Sequence, residues 1–298
     1  MTDMEDATDT FSRVQPRLLG AAYRMLGSLA EAEDIVQDAW LRWHDADKHD
    51  IVDPEAWLIA TTTRRAIDRL RSARTQREHY VGIWLPEPVL TDGPATPEQL
   101  NEVSSDLSIA FLAVLERLSP EARAAFLLHE VFDAGYDEIA RALDKTEAAC
   151  RQIVHRAKAQ LRQDRKRYIV TPDAHQRLMQ RFVDALSRGD FGGLKDMLSE
   201  SAVLVGDGGG FVRSFPKPLV GGARIAQLLF APTLRPANGL RIELARINGE
   251  IGILRYLNGA LESAQSFVSD GEHIQHVYVQ RNPRKLEQIR SQHALSMQ

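Results

Sequence analysis

At 298 residues the chain is longer than one compact domain usually runs, so two or three separate cores are expected. Its 44% hydrophobic and 26% charged residues suit a globular protein, with no apolar run near the roughly 20 residues that cross a bilayer. The acidic, polar stretch Met1–Thr10 lacks the basic start and apolar core of a secretory signal, so a cytoplasmic protein without membrane contact is expected. A single cysteine, Cys150, excludes an internal disulfide framework and a cysteine-based zinc site. The histidines have no metal-ligand spacing and no phosphate-cradling loop is present, so neither metal nor nucleotide cofactor is expected.

A net charge of −4 speaks against a nucleic-acid partner only if the charge is evenly spread, and it is not. From Phe11 to about Arg74 apolar residues recur three and four apart, as in Leu18, Ala22, Met25 and Leu26, which predicts a helical module. Within it Ile35, Val36, Ala39, Trp40 and Trp43 make an apolar stripe, which favours both tryptophans as core. Glu31, Asp34 and Asp38 make an acidic stripe suited to a basic partner surface. After the turn at Asp53–Pro54, a helix carries Trp57, then three threonines, then Arg64, Arg65, Arg69, Arg71 and Arg74. Its arginines can meet the phosphates of opening DNA while a nearby loop captures an unstacked base.

Residues 76–104 read as an extended linker, because Pro86, Pro88, Gly93, Pro94 and Pro97 forbid a continuous helix. Helical periodicity returns over 105–168, where Gly135–Leu161 reads as a helix-turn-helix. Tyr136 opens the first helix, Leu143–Asp144–Lys145 turns, and Thr146 caps the second. Cys150, Ile153, Val154, Ala157 and Leu161 form the buried face of that second helix, so Cys150 reads as a core residue. The other face offers Arg151, Gln152, His155 and Arg156, with Glu147 near the start and Lys158 beside them. In a major groove such side chains reach base edges, arginine reading guanine and glutamine reading adenine. Two basic surfaces on an acidic chain predict DNA contact that is weak without a partner.

A last domain, 172–298, begins at Pro172 with a helix over Asp173–Ser187 and a short one near Leu194. Strands are predicted at Val203–Val205, Leu240–Ile247, Ile251–Tyr256, Ser263–Val268 and His276–Gln280, with a helix near Ile225–Phe230. That order predicts an α+β domain. Asp207 followed by Gly208, Gly209 and Gly210 is a turn whose backbone can approach a ligand or peptide closely.

Both helical modules, in this order, resemble the two conserved domains of extracytoplasmic-function (ECF) sigma factors, over about residues 10–165. The resemblance implies promoter DNA and core RNA polymerase as partners. It places polymerase contact on Asp34, Gln37 and Asp38, minus-ten recognition on residues 57–74 and the loop before them, and minus-thirty-five reading on the helix-turn-helix. The first module would then be 10–75 and the second 105–168. Many family members have Asn where this chain has Arg64, so a minus-ten preference does not carry over.

Three further segments resemble the members with a fused C-terminal SnoaL-like α+β cone. They are Trp84–Leu85–Pro86–Glu87–Pro88, Asp207–Gly208–Gly209–Gly210, and the stretch from Asn282 and Pro283 through Arg284 and Lys285 to Leu286. The resemblance implies a regulatory domain with a small-molecule or protein ligand as a further partner class. Phe211 and Arg284 stand where Lys and Asp are commoner. The linker should itself touch that domain, because Trp84, Leu85, Val89 and Leu90 are too apolar to face water.

Two other readings compete. The last domain could be a cyclase-like or isomerase-like enzyme with Asp207 as general base, which would need a His or second acid beside it. Alternatively the chain could be a dimeric repressor using only the helix-turn-helix, which leaves the acidic and Trp57–Arg74 helices without a role.

Overall fold

The computed structural model describes residues 2–48, 51–77, 80–91, 107–164, 170–234 and 239–296. Gly93, Pro94 and Pro97 of the linker lie outside them. The described chain forms two compact units: 2–77 with 112–164, and 80–91 with 107–111 and 170–296.

In the first unit α1 (Thr2–Leu26), α2 (Leu29–Asp45) and α3 (Pro54–Arg77) pack together. Ser28 caps α2 by accepting a hydrogen bond from the Glu31 amide at 3.4 Å. The apolar stripes are buried as expected: Leu18, Ala22 and Leu26 of α1, Ile35, Val36, Ala39 and Trp43 of α2, and Leu58, Ile67 and Leu70 of α3 lie inside where the three helices pack. Trp40 departs from the expected core position. It is half-buried, its ring 4.8 Å from Phe11, because it lies at the edge of the stripe where the large indole covers apolar surface without being enclosed.

The same unit holds α5 (Pro120–Glu130), α6 (Tyr136–Leu143), α7 (Glu147–Asp164) and the C-terminal part of α4 (Ile109–Leu115). Pro120 at the first helical position and Ser119 as cap start α5. The turn between α6 and α7 hinges on Asp144 in the left-handed region at φ 53°, and the Thr146 hydroxyl accepts from the Ala149 amide at 3.3 Å. Ile139, Ala142, Cys150 and Val154 close one core with Ala125 and Leu128, so Cys150 is structural, and burial pushes its thiol pKa up. Both α5 and α6 pack on α3, so the two helical modules share this unit.

The second unit is an α+β domain. Helices α8 (Pro172–Arg188), α9 (Phe191–Asp196) and α10 (Gly222–Phe230) pack on one face of a six-stranded sheet. Its strands are β1 (Leu198–Asp207), β2 (Leu219–Val220), β3 (Arg241–Ile247), β4 (Glu250–Leu257), β5 (Ala260–Ser269) and β6 (Ile274–Gln280). Their order is β2-β1-β6-β5-β4-β3, with β1 parallel to β6 and the other pairs antiparallel. Asn248–Gly249 and Asn258–Gly259, all at positive φ, make the two tight hairpins that fix the β3–β4 and β4–β5 registers.

Phe182 meets Phe267 edge-on at 5.3 Å in the core beneath the helices. The other face packs Leu254, Tyr256 and Leu261 against Leu286 and Ile289, the latter on α11 (Glu287–Ser296). Neither β2 nor α11 was expected from sequence periodicity. The strand expected at Val203–Val205 runs instead from Leu198 to Asp207; its first half has no apolar alternation, because Ser199, Glu200 and Ser201 are polar in succession. No helix among the described residues is long and apolar enough to cross a membrane.

His175 ties α8 to the sheet: one ring nitrogen lies 2.9 Å from the Ile251 carbonyl and the other 3.2 Å from the Ser269 hydroxyl. Burial lowers its pKa against the opposing effect of the Ile251 carbonyl, and burial lowers that of His276 as well. Each folded-state pKa therefore lies below the unfolded value of about 6.5. The stability these groups supply is present above that value and is lost as pH falls below it through the lowered folded-state values. The melting temperature is expected to drop between about pH 7 and pH 5, and the double variant His175→Gln/His276→Gln to drop less steeply. An equal slope in both proteins would remove the histidines as the cause.

Candidate functional site

The residues singled out from sequence fall into three groups. On α2, Asp34 and Gln37 are exposed on the face opposite the buried stripe. Asp38 is not free beside them. It accepts from Arg65 Nε at 2.5 Å and lies 3.5 Å from Arg42 Nε, so Asp38, like Glu31 of the same stripe, is engaged in holding α3.

The arginines of α3 are likewise engaged. Arg69 pairs with Glu31 at 2.9 Å, and Arg71 pairs with Glu121 at 2.6 Å. The Arg71 and Lys145 cations together hold the Glu121 carboxyl below its ordinary pKa, overcoming partial burial. The Lys145 hydrogen bond is the largest contribution. Arg64 donates through Nε to the Ala142 carbonyl at 3.0 Å and through Nη2 to the Arg141 carbonyl at 2.5 Å. A guanidinium at the C-terminal end of α6 satisfies carbonyls the helix cannot and complements its dipole. Trp57 packs on Trp43 at 5.7 Å, and with Thr61 and Arg64 it lines a cavity of about 690 Å³ between α3 and the helix-turn-helix.

On α7, Glu147, Arg151, Gln152, His155 and Arg156 are all exposed, opposite Cys150, Val154, Ala157 and Leu161. Arg151 is oriented by Glu147 at 2.6 Å, one helical turn away, and by stacking 5.1 Å from the Tyr136 ring. Lys158 is half-buried and pairs with Glu130 at 2.6 Å. It contributes to packing α7 on α5.

The third group meets inside the second unit. Asp207, at the end of β1, is fully buried, and its carboxylate accepts from the Leu85 amide at 2.9 Å, Lys285 Nζ at 2.8 Å and the Tyr80 hydroxyl at 2.6 Å. It also accepts from the Gly209 amide at 2.9 Å and Gln280 Nε2 at 3.2 Å. Lys285 donates to the Leu85 carbonyl at 2.6 Å and lies 4.1 Å from the Trp84 ring. Gln280 reaches the Pro86 carbonyl at 3.2 Å, and Asn282 donates to the Tyr80 hydroxyl at 2.9 Å.

Leu85, Pro86, Glu87 and Pro88 are buried, Trp84 is half-buried, and farther along Leu90 bridges antiparallel to Ile247 on the edge strand β3. The Val89 amide donates to Asn248 Oδ1 at 3.0 Å and the Asn248 amide to the Val89 carbonyl at 2.8 Å. Residues 89–91 thus pair with the end of the edge strand β3, which would otherwise present unpaired backbone there.

The glycines of the turn follow from this crowding. A Cβ on Gly208 would fall 2.0 Å from the Val212 carbonyl oxygen. One on Gly209, at φ +61°, would fall 2.2 Å from Asn282 Nδ2. The two departures from the commoner pattern also meet, the Arg284 guanidinium lying 4.5 Å from the centre of the Phe211 ring. A cation–π contact joins the two positions where the resemblance would put Lys and Asp. Tyr80, Gln280 and Lys285 were not singled out from sequence. Lys285 stood within the quoted Asn282–Leu286 stretch, whereas Tyr80 and Gln280 carried no local signal. Asp207 has its acceptor capacity filled by donors and no histidine among its partners, so it is not placed to act as a general base.

Two helical modules followed by a helix-backed mixed sheet define a transcription-initiation subunit with an appended SnoaL-like domain. The chain matches the models for Sigma-70 region 2 over residues 10–76 and for Sigma-70 region 4 over 108–161. It is 37% identical over 246 residues to the ECF RNA polymerase sigma factor SigJ of Mycobacterium tuberculosis, covering 81% of this chain and 78% of that protein. It is 29% identical over 282 residues to the probable ECF RNA polymerase sigma factor SigI of the same species, covering 92% and 93%. The crystal structure of SigJ superposes with a TM-score of 0.75 at 31% identity, covering 94% of this chain and 98% of that one. The chain belongs to the ECF RNA polymerase sigma factors and acts as an alternative sigma factor, a non-enzymatic subunit that directs transcription initiation through core polymerase and promoter DNA.

Proposed function

We propose that the C-terminal domain sets the activity of this sigma factor by gripping the segment that joins its two DNA-reading modules. The observation that carries this is the buried Asp207 carboxylate, which takes the Leu85 amide at 2.9 Å while Lys285 and Gln280 take the Leu85 carbonyl. A linker held at both backbone groups of one residue is a latch, and its prolines lower the entropy lost on docking. Held, it limits the separations the two modules can adopt. Released, it lets them span a promoter. Promoter binding requires access to the chromosome, which puts this work in the cytoplasm. A small molecule or protein that competes for the linker contacts would act as the inducing ligand.

In this reading Asp34, Gln37 and Asp38 meet the polymerase, and Trp57, Arg64, Arg65, Arg69 and Arg71 serve the minus-ten element. Glu147, Arg151, Gln152, His155, Arg156 and Lys158 serve the minus-thirty-five element. Arg64, Arg65, Arg69 and Arg71 must exchange internal partners for DNA, which suits a factor that binds DNA weakly until polymerase rearranges it. Asp34→Ala and Gln37→Ala are expected to weaken binding to core polymerase several-fold with an unchanged melting temperature, since both side chains are exposed. Parallel losses of binding and stability would make them structural.

The latch is tested by reconstituted transcription with core polymerase, comparing the wild type with Trp84→Ala and with a chain ending before Pro172. A changed yield with polymerase binding intact supports it. Wild-type yield from both variants, with no cross-link between residues 84–88 and the last domain, overturns it.

A further inference from the structure

Away from the linker contacts, the C-terminal domain contains a cavity of about 320 Å³ bounded by β1, β4, β5, β6 and α10. That size is at the lower end of small-ligand sites. Its deep wall is apolar, formed by Leu204, Leu229 and Val279, and its lips are Phe215 and Leu228, both 37% exposed. Large apolar side chains left open to water around a cavity mark a surface that gains by being covered.

The polar side of the cavity is a charge cluster. Arg255 grips Glu262 through Nη2 at 2.7 Å and Nε at 2.9 Å. Arg281 Nε lies 2.6 Å from the other oxygen of Glu262, but the angle is wrong for a hydrogen bond, so Arg281 Nε and Glu262 Oε1 are both buried without a hydrogen-bond partner. Burial pushes the Glu262 pKa up, and the fields of Arg255 and Arg281 more than reverse it, so the carboxylate stays ionised. Arg213, exposed at the rim, supplies a third guanidinium and accepts from Arg281 through its own carbonyl at 2.6 Å.

Three arginines against one glutamate leave an excess of positive charge facing an apolar chamber. Each guanidinium has five N–H donors in a fork that matches a carboxylate, more than Glu262 and the Arg213 carbonyl occupy. A cation would be repelled, and a neutral molecule can accept from the guanidinium Nη groups but leaves the excess positive charge uncompensated. Phosphate has no apolar part and would leave the wall of Leu204, Leu229 and Val279 exposed to water. We propose that this cavity binds a small monocarboxylic acid with an apolar body, its carboxylate on Arg281 and Arg255 and its body against Leu204, Leu229 and Val279.

Ligand binding at this cavity is measured directly. Ligand-observed NMR on the full-length protein would use 3-phenylpropionate, its amide and inorganic phosphate as probes. The acid should bind at least about tenfold more tightly than the amide or phosphate. Arg281→Gln and Arg255→Gln should each weaken the acid by about tenfold, and Leu228→Trp, which fills the mouth from an exposed position, should abolish binding with an unchanged circular dichroism spectrum. Arg224→Gln, exposed on α10 outside the cavity, should leave binding unchanged. Acid and amide binding equally, phosphate binding as well as the acid, Leu228→Trp binding like wild type, or no acid bound at millimolar concentration would each overturn the proposal.

Discussion

Asp207→Ala is expected to be the most damaging single change in the C-terminal domain, lowering its stability by about 3–5 kcal/mol. Asp207 is fully buried and the Lys285 side chain is 13% exposed, so removing the carboxylate leaves an ammonium largely out of water without its counter-ion. The Leu85 and Gly209 amides lose their acceptor at the same time. The Trp84 and Tyr80 rings beside Lys285 offset part of this, because each attracts the cation. The lower end of the range, about 3 kcal/mol, corresponds to a melting temperature lower by about 10 °C in a domain of this size.

The loss should be local first. Hydrogen exchange at the Leu85 amide should accelerate before exchange in β5 and β6 does, because that amide donates to the lost carboxylate whereas those strands share a ladder. Asp207→Asn, which keeps an acceptor oxygen but not the charge, should fall between the wild type and alanine. A melting temperature within about 2 °C of wild type for Asp207→Ala, with unchanged Leu85 exchange, would show that the linker is held by its other contacts and not by this carboxylate.

What could be read from the sequence follows the range of the interactions involved. The second helix of the helix-turn-helix is a local pattern: Cys150, Val154, Ala157 and Leu161 recur at helical spacing, so the exposed face carrying Arg151, Gln152 and His155 is fixed once the helix exists. The strands were legible for a similar reason, since they are short alternating or apolar runs, and the structure closes two of their hairpins at Asn248–Gly249 and Asn258–Gly259.

The grip on the linker was legible only in part. The apolar linker and the glycine turn each announced that something must cover them, but Asp207 and Tyr80 are 127 residues apart and no local pattern joins them. Gln280 ends an apolar strand, where its polar head has meaning only once the Leu85 and Pro86 carbonyls arrive. The internal pairs of Asp38 with Arg65 and of Arg71 with Glu121 were hidden for the same reason. Charge spacing along a helix shows which face is polar and leaves open whether that face meets water, a partner or a neighbouring helix.

Arg151→Ala is expected to reduce discrimination at the minus-thirty-five element by about 1–3 kcal/mol, or about 5- to 150-fold, the value of one good bidentate base contact. Arg151 is exposed near the start of α7, the end that enters a major groove in helix-turn-helix proteins. Glu147 and the Tyr136 ring hold it extended, so less side-chain entropy is lost when it docks. Its partner Glu147 is itself exposed, so exchanging that ion pair for a guanine edge costs under about 1 kcal/mol. Arg162 makes the internal control. It is exposed in the last turn of the same helix, too far along to follow the groove floor and suited to a phosphate. Binding of reconstituted holoenzyme to a promoter and to single-base variants of its minus-thirty-five element separates the two. Arg151→Ala should flatten the differences between sequences. Arg162→Ala should weaken all of them alike and lower the salt dependence by about one phosphate contact. If both variants lose affinity by the same factor on every sequence, Arg151 positions the helix and the base reading falls to Gln152, His155 and Arg156.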